Sequence, residues 1–148
     1  MSKRRRNFWI EAALFVLIVA AITTAIIASE LQPLNKNDIK LTASDLRSFA
    51  AAGRQLIAQH QAGHLTDTFF NTQVELLDDK VSNSRQMLID SDAEPEAKQS
   101  QRAALDLASQ IDAALDQIQG SQNESSIAQQ LSSLENNSKQ LEDRLKNE

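Results

Sequence analysis

Cysteine and tyrosine are absent from this chain of 148 residues, which has one tryptophan, two prolines and three glycines. Without cysteine there are no disulfides, no thiol catalysis and no cysteine-held metals. So few prolines and glycines leave too little turn material for an all-β domain, whose hairpins depend on them. Ala, Leu, Gln, Ser, Asp and Glu dominate instead, a mixture that favours helices. Nothing has the pattern of a nucleophile elbow, a phosphate-binding glycine loop or a paired-carboxylate active site. A helical bundle this small and this poor in aromatics also offers little concave surface. The chain reads as non-enzymatic, with no cofactor.

Against these absences stands one long apolar run. Phe8 to Ala28 is broken only by Glu11 and Thr23-Thr24, and Lys3, Arg4, Arg5 and Arg6 precede it. At about 1.5 Å per residue, roughly 20 apolar residues cross a hydrocarbon layer of about 30 Å. The run predicts a transmembrane helix over residues 8–29, anchored by Arg4, Arg5 and Arg6 and by the interfacial rings of Phe8 and Trp9. The cations hold the basic tail, residues 1–7, in the cytoplasm and place residues 30–148 outside it, in the periplasm or the extracellular space. A cleaved signal peptide is the rival, but its core is shorter, and cleavage after Ala28 would put Ile26 at −3. The twin-arginine outline of Arg5-Arg6-Asn7-Phe8-Trp9 is too short, and the apolar core behind it too greasy, for that export route.

Residues 30–148 carry 19 acids against 11 bases, a net charge of −8. That balance excludes nucleic acid as a partner and disfavours docking flat on anionic lipid. Residues 30–41 read as a linker that keeps the following domain near the bilayer, and residues 42–148 as a helical bundle. Thr42-Ala43-Ser44-Asp45 has the form of a helix start. Behind it Leu46, Phe49, Gly53, Leu56 and His60 repeat at alternating spacings of 3 and 4, with Gly63 as a C-cap. Leu65-Thr66 opens a second segment, with Phe70, Val74, Leu77, Val81, Ser84 and Leu88 on its stripe. Pro95 and Glu96 open a third, with Ala97, Gln101, Ala104, Ala108, Ile111, Leu115 and Ile118. After Gly120, a fourth carries Ile127, Leu131, Leu134, Ser138, Leu141 and Leu145. Glu135–Lys139 and Glu142–Lys146 are i,i+4 pairs on its outer face.

Four stripes with a period near 3.5 residues predict an all-α fold, an antiparallel up-down four-helix bundle behind the membrane helix. The alternative is a three-helix bundle with a free fourth helix, whose stripe Ile127, Leu131, Leu134, Leu141 and Leu145 pairs with another chain as a coiled coil. In the four-helix arrangement Phe49, Ser84, Gln101 and Leu141 form one layer. Gly53, Val81, Ala104 and Ser138 form the next, and Leu56, Leu77, Ala108 and Leu134 a third. The middle layer is poor in volume, through either close helix approach or a small cavity.

His60 and His64 are the only histidines, and on a continuous helix their i,i+4 spacing puts both on one face. They are the candidate metal ligands, with Asp67 as a third; histidines that complement a helix C-terminus are the plainer reading. Asp90, Asp92, Glu94 and Glu96 alternate like the start of a calcium loop. Pro95 and Gln101 stand where that loop needs Gly and Glu, so the segment is a solvated turn. The acceptor patterns at Asn123 and Asn136 are short enough to arise by chance.

The sequence thus describes a single-pass membrane protein that presents an acidic bundle outside the cytoplasm. It would serve as an interaction, scaffold or accessory subunit of a membrane complex. Its partners would be the lipid bilayer and another membrane or extracytoplasmic protein, or a second copy of itself. The alternative is an extracytoplasmic ligand-sensing or binding module. In architecture alone such a chain resembles the sensory domains of chemoreceptors and sensor kinases. Those cross the membrane a second time, and residues 30–148 contain no second span.

Overall fold

The computed structural model describes residues 33–120 and 123–147. The membrane helix expected over residues 8–29, with Arg4, Arg5, Arg6, Phe8 and Trp9, lies outside the described residues. No described helix is long and apolar enough to cross a membrane. From Pro33 onward the chain is a compact unit of four helices: α1 (Lys36–Gln61), α2 (Asp67–Asp90), α3 (Lys98–Gly120) and α4 (Glu124–Asn147).

The first helix begins earlier than the sequence suggests, inside the expected linker. Asn35 caps it. Its side-chain oxygen accepts from the backbone N–H groups of Asn37 (2.8 Å) and Asp38 (3.1 Å), and the Asp38 carboxylate accepts from the Asn35 N–H at 3.0 Å. This reciprocal box satisfies otherwise orphaned donors. Thr42 is therefore an interior helix residue. It is buried, and its hydroxyl donates to the Asp38 carbonyl at 3.0 Å. α1 ends as expected at Gly63, whose φ of +72° disfavours any side chain. The Gly63 N–H donates to the His60 carbonyl and the His64 N–H to the Gln59 carbonyl, the paired bonds of a Schellman ending. Thr66 caps α2 through the Phe69 N–H.

Cross-helix pairs set the directions. Arg47 meets Glu142 at 2.9 Å and Arg54 meets Glu135 at 3.2 Å. α1 and α4 therefore run antiparallel, and these glutamates reach across to α1 instead of serving only as i,i+4 partners on α4. Arg85 on Asp112, and the Gln101 amide donating to the Leu88 and Ser91 carbonyls, make α2 and α3 antiparallel. The latter bonds also satisfy two carbonyls at the exposed end of α2. Residues around Leu34 pair with the α2–α3 turn. The Leu34 N–H donates to Asp92 O (2.7 Å), and the Glu94 N–H donates to Leu34 O (3.0 Å).

α1 packs most extensively on α4, and α3 touches all three other helices. The backbones of α2 and α4 stay apart across the long diagonal, whereas α1 and α3 approach across the short one. Small side chains permit this. Ala43 and Ala50 on α1, and Ala104, Ala108 and Ala114 on α3, are all fully buried. The buried face of α1 is Ile39, Ala43, Leu46, Ala50, Gly53 and Ile57, so the expected stripe is rotated. Phe49 and Leu56 are displaced to its edge, only partly buried, because the space facing α3 takes only small groups. The expected layers shift accordingly. A Cβ on Gly53 would stand 3.0 Å from Leu131 Cδ1, 3.1 Å from Leu115 Cδ2 and 3.6 Å from Leu77 Cδ2. The Gly53 level is therefore filled by leucines and contains no cavity. The fourth stripe is as read: Ile127, Leu131, Leu134, Ser138, Leu141 and Leu145 are all buried within this chain. This places α4 in the core of a four-helix bundle and not free for a coiled coil.

Two substitutions test this packing. Gly53→Leu would overfill the α1–α3 contact, and a loss of about 2–3 kcal/mol is expected in a denaturant melt. Leu134→Asp puts a charge into the core and is expected to unfold all four helices together, read by circular dichroism. Loss of only a quarter of the helical signal would return α4 to the free-helix arrangement.

Candidate functional site

A polar cluster gathers around His60, in the last turn of α1. Its Nδ1 lies 3.0 Å from Glu124 Oε1 and its Nε2 3.0 Å from Asp67 Oδ1. Asp67 opens α2 and Glu124 opens α4, so one ring ties the end of one helix to the starts of two others. The ring also stacks on Phe70, with centroids 4.1 Å apart and planes within 4°. A neutral imidazole has one N–H and can donate to one carboxylate; the imidazolium donates to both. The Asp67 hydrogen bond is the largest influence on His60. With Glu124 it outweighs the opposing effect of desolvation and raises the pKa above 6.5. The charged ring also gains from lying over the Phe70 face.

His64 does not join this cluster. The helix has ended, Gly63 has turned the chain, and His64 Nδ1 sits 3.0 Å from Gln59 Oε1. The i,i+4 geometry that would bring both imidazoles to one metal therefore does not form. No group of three or more His, Asp or Glu side chains among the described residues could hold a metal ion.

A second polar cluster lies on the α2–α3 seam. Asp78 has one side-chain oxygen buried without a partner. Desolvation, reinforced by the charges of Asp112 and Asp116, pushes its pKa up to about 6. At neutral pH this carboxylate is a like-charge burden, only part of it relieved by the Arg85–Asp112 pair.

The third feature is apolar. Between α1 and α2 an open cleft of about 650 Å³ is floored by Ala52, Leu56, Leu65 and Leu77. Gln55, Gln59, Gln73 and Lys80 frame it, and Leu76 stands on its rim. The sequence does not announce it, because the Phe70 stripe carries the dominant periodicity of α2. The available signal was Phe69, Leu76 and Met87, which fall off that stripe yet share a face of α2 with one another.

Both titrating groups predict pH effects of the same direction. His60 has a folded pKa above its unfolded value, so its stabilisation is complete below pH 6.5 and fades as pH rises through the folded value. The melting temperature lost in His60→Gln should therefore be largest near pH 6 and smallest near pH 9. Asp78 is also raised, from 3.8 to about 6, so protonation favours folding and ionisation opposes it. Asp78→Asn should raise the melting temperature above pH 6, and the gain should vanish toward pH 4. A thermal-melt series across pH with both variants measures the two effects.

No protein-family model, curated protein or solved structure matches the chain.

Proposed function

We propose that the chain is a non-enzymatic, single-pass membrane protein that presents its acidic bundle outside the cytoplasm. In this reading it is an interaction, scaffold or accessory subunit of a membrane complex. The observation that carries the reading is the apolar run Phe8–Ala28 directly behind Lys3, Arg4, Arg5 and Arg6. Further support comes from the bundle surface, which keeps large apolar side chains exposed within an acidic setting. Isolated exposed leucines are ordinary, but apolar groups that line up along a cleft mark interaction surfaces. The α1–α2 cleft favours a second reading, an extracytoplasmic ligand-sensing or binding module. Its ligand would then lie in that cleft and not at the filled Gly53 level.

Fractionation of cells making a chain tagged at both ends tests the proposal. The chain is expected to remain in the membrane pellet after an alkaline carbonate wash. Protease added to cells with a permeabilised outer layer should remove the C-terminal tag and spare the N-terminal one. Release by carbonate, or a protected C-terminal tag, would overturn the assignment of anchor or orientation.

A further inference from the structure

We propose that the cleft between α1 and α2 binds a small amphipathic anion, a carboxylate carried on a short apolar body. The inference rests on the ligand-binding reading and names the class of ligand.

The charge of the cleft runs against that of the chain around it. Residues 30–148 carry a net charge of −8, yet no acidic side chain lines the cleft and Lys80 is its one charged group. The three arginines of α1 and α2 are spent elsewhere: Arg47 on Glu142, Arg54 on Glu135 and Arg85 on Asp112. Lys80 makes no ion pair or hydrogen bond among the described residues. Its neighbours one turn away on α2 are Leu76, Leu77, Asn83 and Ser84, none of them an acid. Glu75 and Asp79 stand about 100° or more round the helix from Lys80. An uncompensated ammonium therefore sits at the edge of an apolar floor, where an anion gains both charge and burial.

Size and layout set the rest of the ligand. The volume of about 650 Å³ falls within the range of about 300–1,000 Å³ that small molecules occupy. Leu34 pairs with Ala93, which puts the start of α1 beside the end of α2, and residues 62–66 join their other ends. The two helices thus run antiparallel, with Leu65 and Gln73 at the loop end of the cleft and Lys80 at the other. From Gln73 to Lys80 is two turns, about 10 Å at about 1.5 Å per residue. Leu56, Leu76 and Leu77 lie between. A carboxylate at Lys80 with its apolar body over these leucines fills that span. A neutral apolar molecule would take water from the ammonium and return nothing. A purely polar one would leave the leucines wet, and a long lipid chain or a partner helix would overrun two turns.

The test uses the full-length chain, labelled with ¹⁵N, in neutral-lipid nanodiscs. Hexanoate, hexanol and hexylammonium are titrated in, so that one apolar body carries an anionic, a neutral or a cationic head. Empty nanodiscs correct for partitioning. Saturable amide shifts are expected at Ala52, Gln73 and Lys80 and not at Lys139 on α4. Hexanoate should bind about fivefold more tightly than hexanol, with hexylammonium weakest. Lys80→Gln should remove the preference and Lys80→Glu reverse it, while Leu76→Asn on the rim should weaken all three; the same spectra verify that each variant keeps its fold. Equal binding of hexanoate and hexanol at these residues would overturn the anion assignment and leave the ligand-binding reading standing. So would a natively folded Lys80→Gln variant that still prefers hexanoate. No saturable shift with any of the three, or shifts spread evenly over the bundle, would remove both. A chain that does not enter nanodiscs counts against the membrane reading alone, and the same titration then runs on the chain in buffer.

Discussion

The approach of α1 to α3 is the constraint on which the rest of this bundle depends. Gly53 admits Leu131 and Leu115 to within 3.0 and 3.1 Å of where a Cβ would stand. The alanines on both helices keep the short diagonal short. In a square bundle each helix shares its apolar stripe between two neighbours, whereas here α1 and α3 each serve three. That widens their buried faces, brings Leu107 and Ala114 inside beside the expected α3 positions, and pushes α2 and α4 to the far corners. The α1–α2 seam is left underfilled as the geometric complement of the same contact.

The ends of the bundle are joined by polar groups, and each joint ties one helix to another. His60 holds the starts of α2 and α4 at one end. At the other, Gln101 covers the last carbonyls of α2. These groups add little apolar burial. Gln101 satisfies helix-end carbonyls that would otherwise rely on water, and His60, through the Asp67 and Glu124 carboxylates, couples its junction to proton concentration.

How much of this could be read in the sequence depended on how local the deciding physics was. The fourth stripe was legible residue by residue, since large leucines at regular spacing against a polar remainder admit one phase. Gly63 as a helix end was legible because few other residues tolerate its φ. The phase of α1 was not, because Phe49 and Leu56 outrank Ala43 and Ala50 by hydrophobicity, and only the proximity of α3 reverses the order. The start of α1 was misplaced because Thr42-Ala43-Ser44-Asp45 has the form of a cap, whereas the box that forms is Asn35 with Asp38. The paired histidines suggested a metal only while the helix was assumed to continue through residue 64. The partners of His60 stand 7 and 64 positions away, so its role was visible as a helix-end histidine and not as a three-way joint. The cleft depends on how far two helices splay, which no periodicity encodes.

The two backbone hydrogen bonds between Leu34 and the Asp92–Glu94 turn carry a mechanical meaning. A pull on the chain from the Pro33 side reaches the α2–α3 turn before it reaches the Asn35 cap. Tension is thereby divided between the first helix and the middle of the sequence, and α1 is shielded from being peeled away one turn at a time. The strap places two backbone hydrogen bonds between an incoming pull and the first turn of α1.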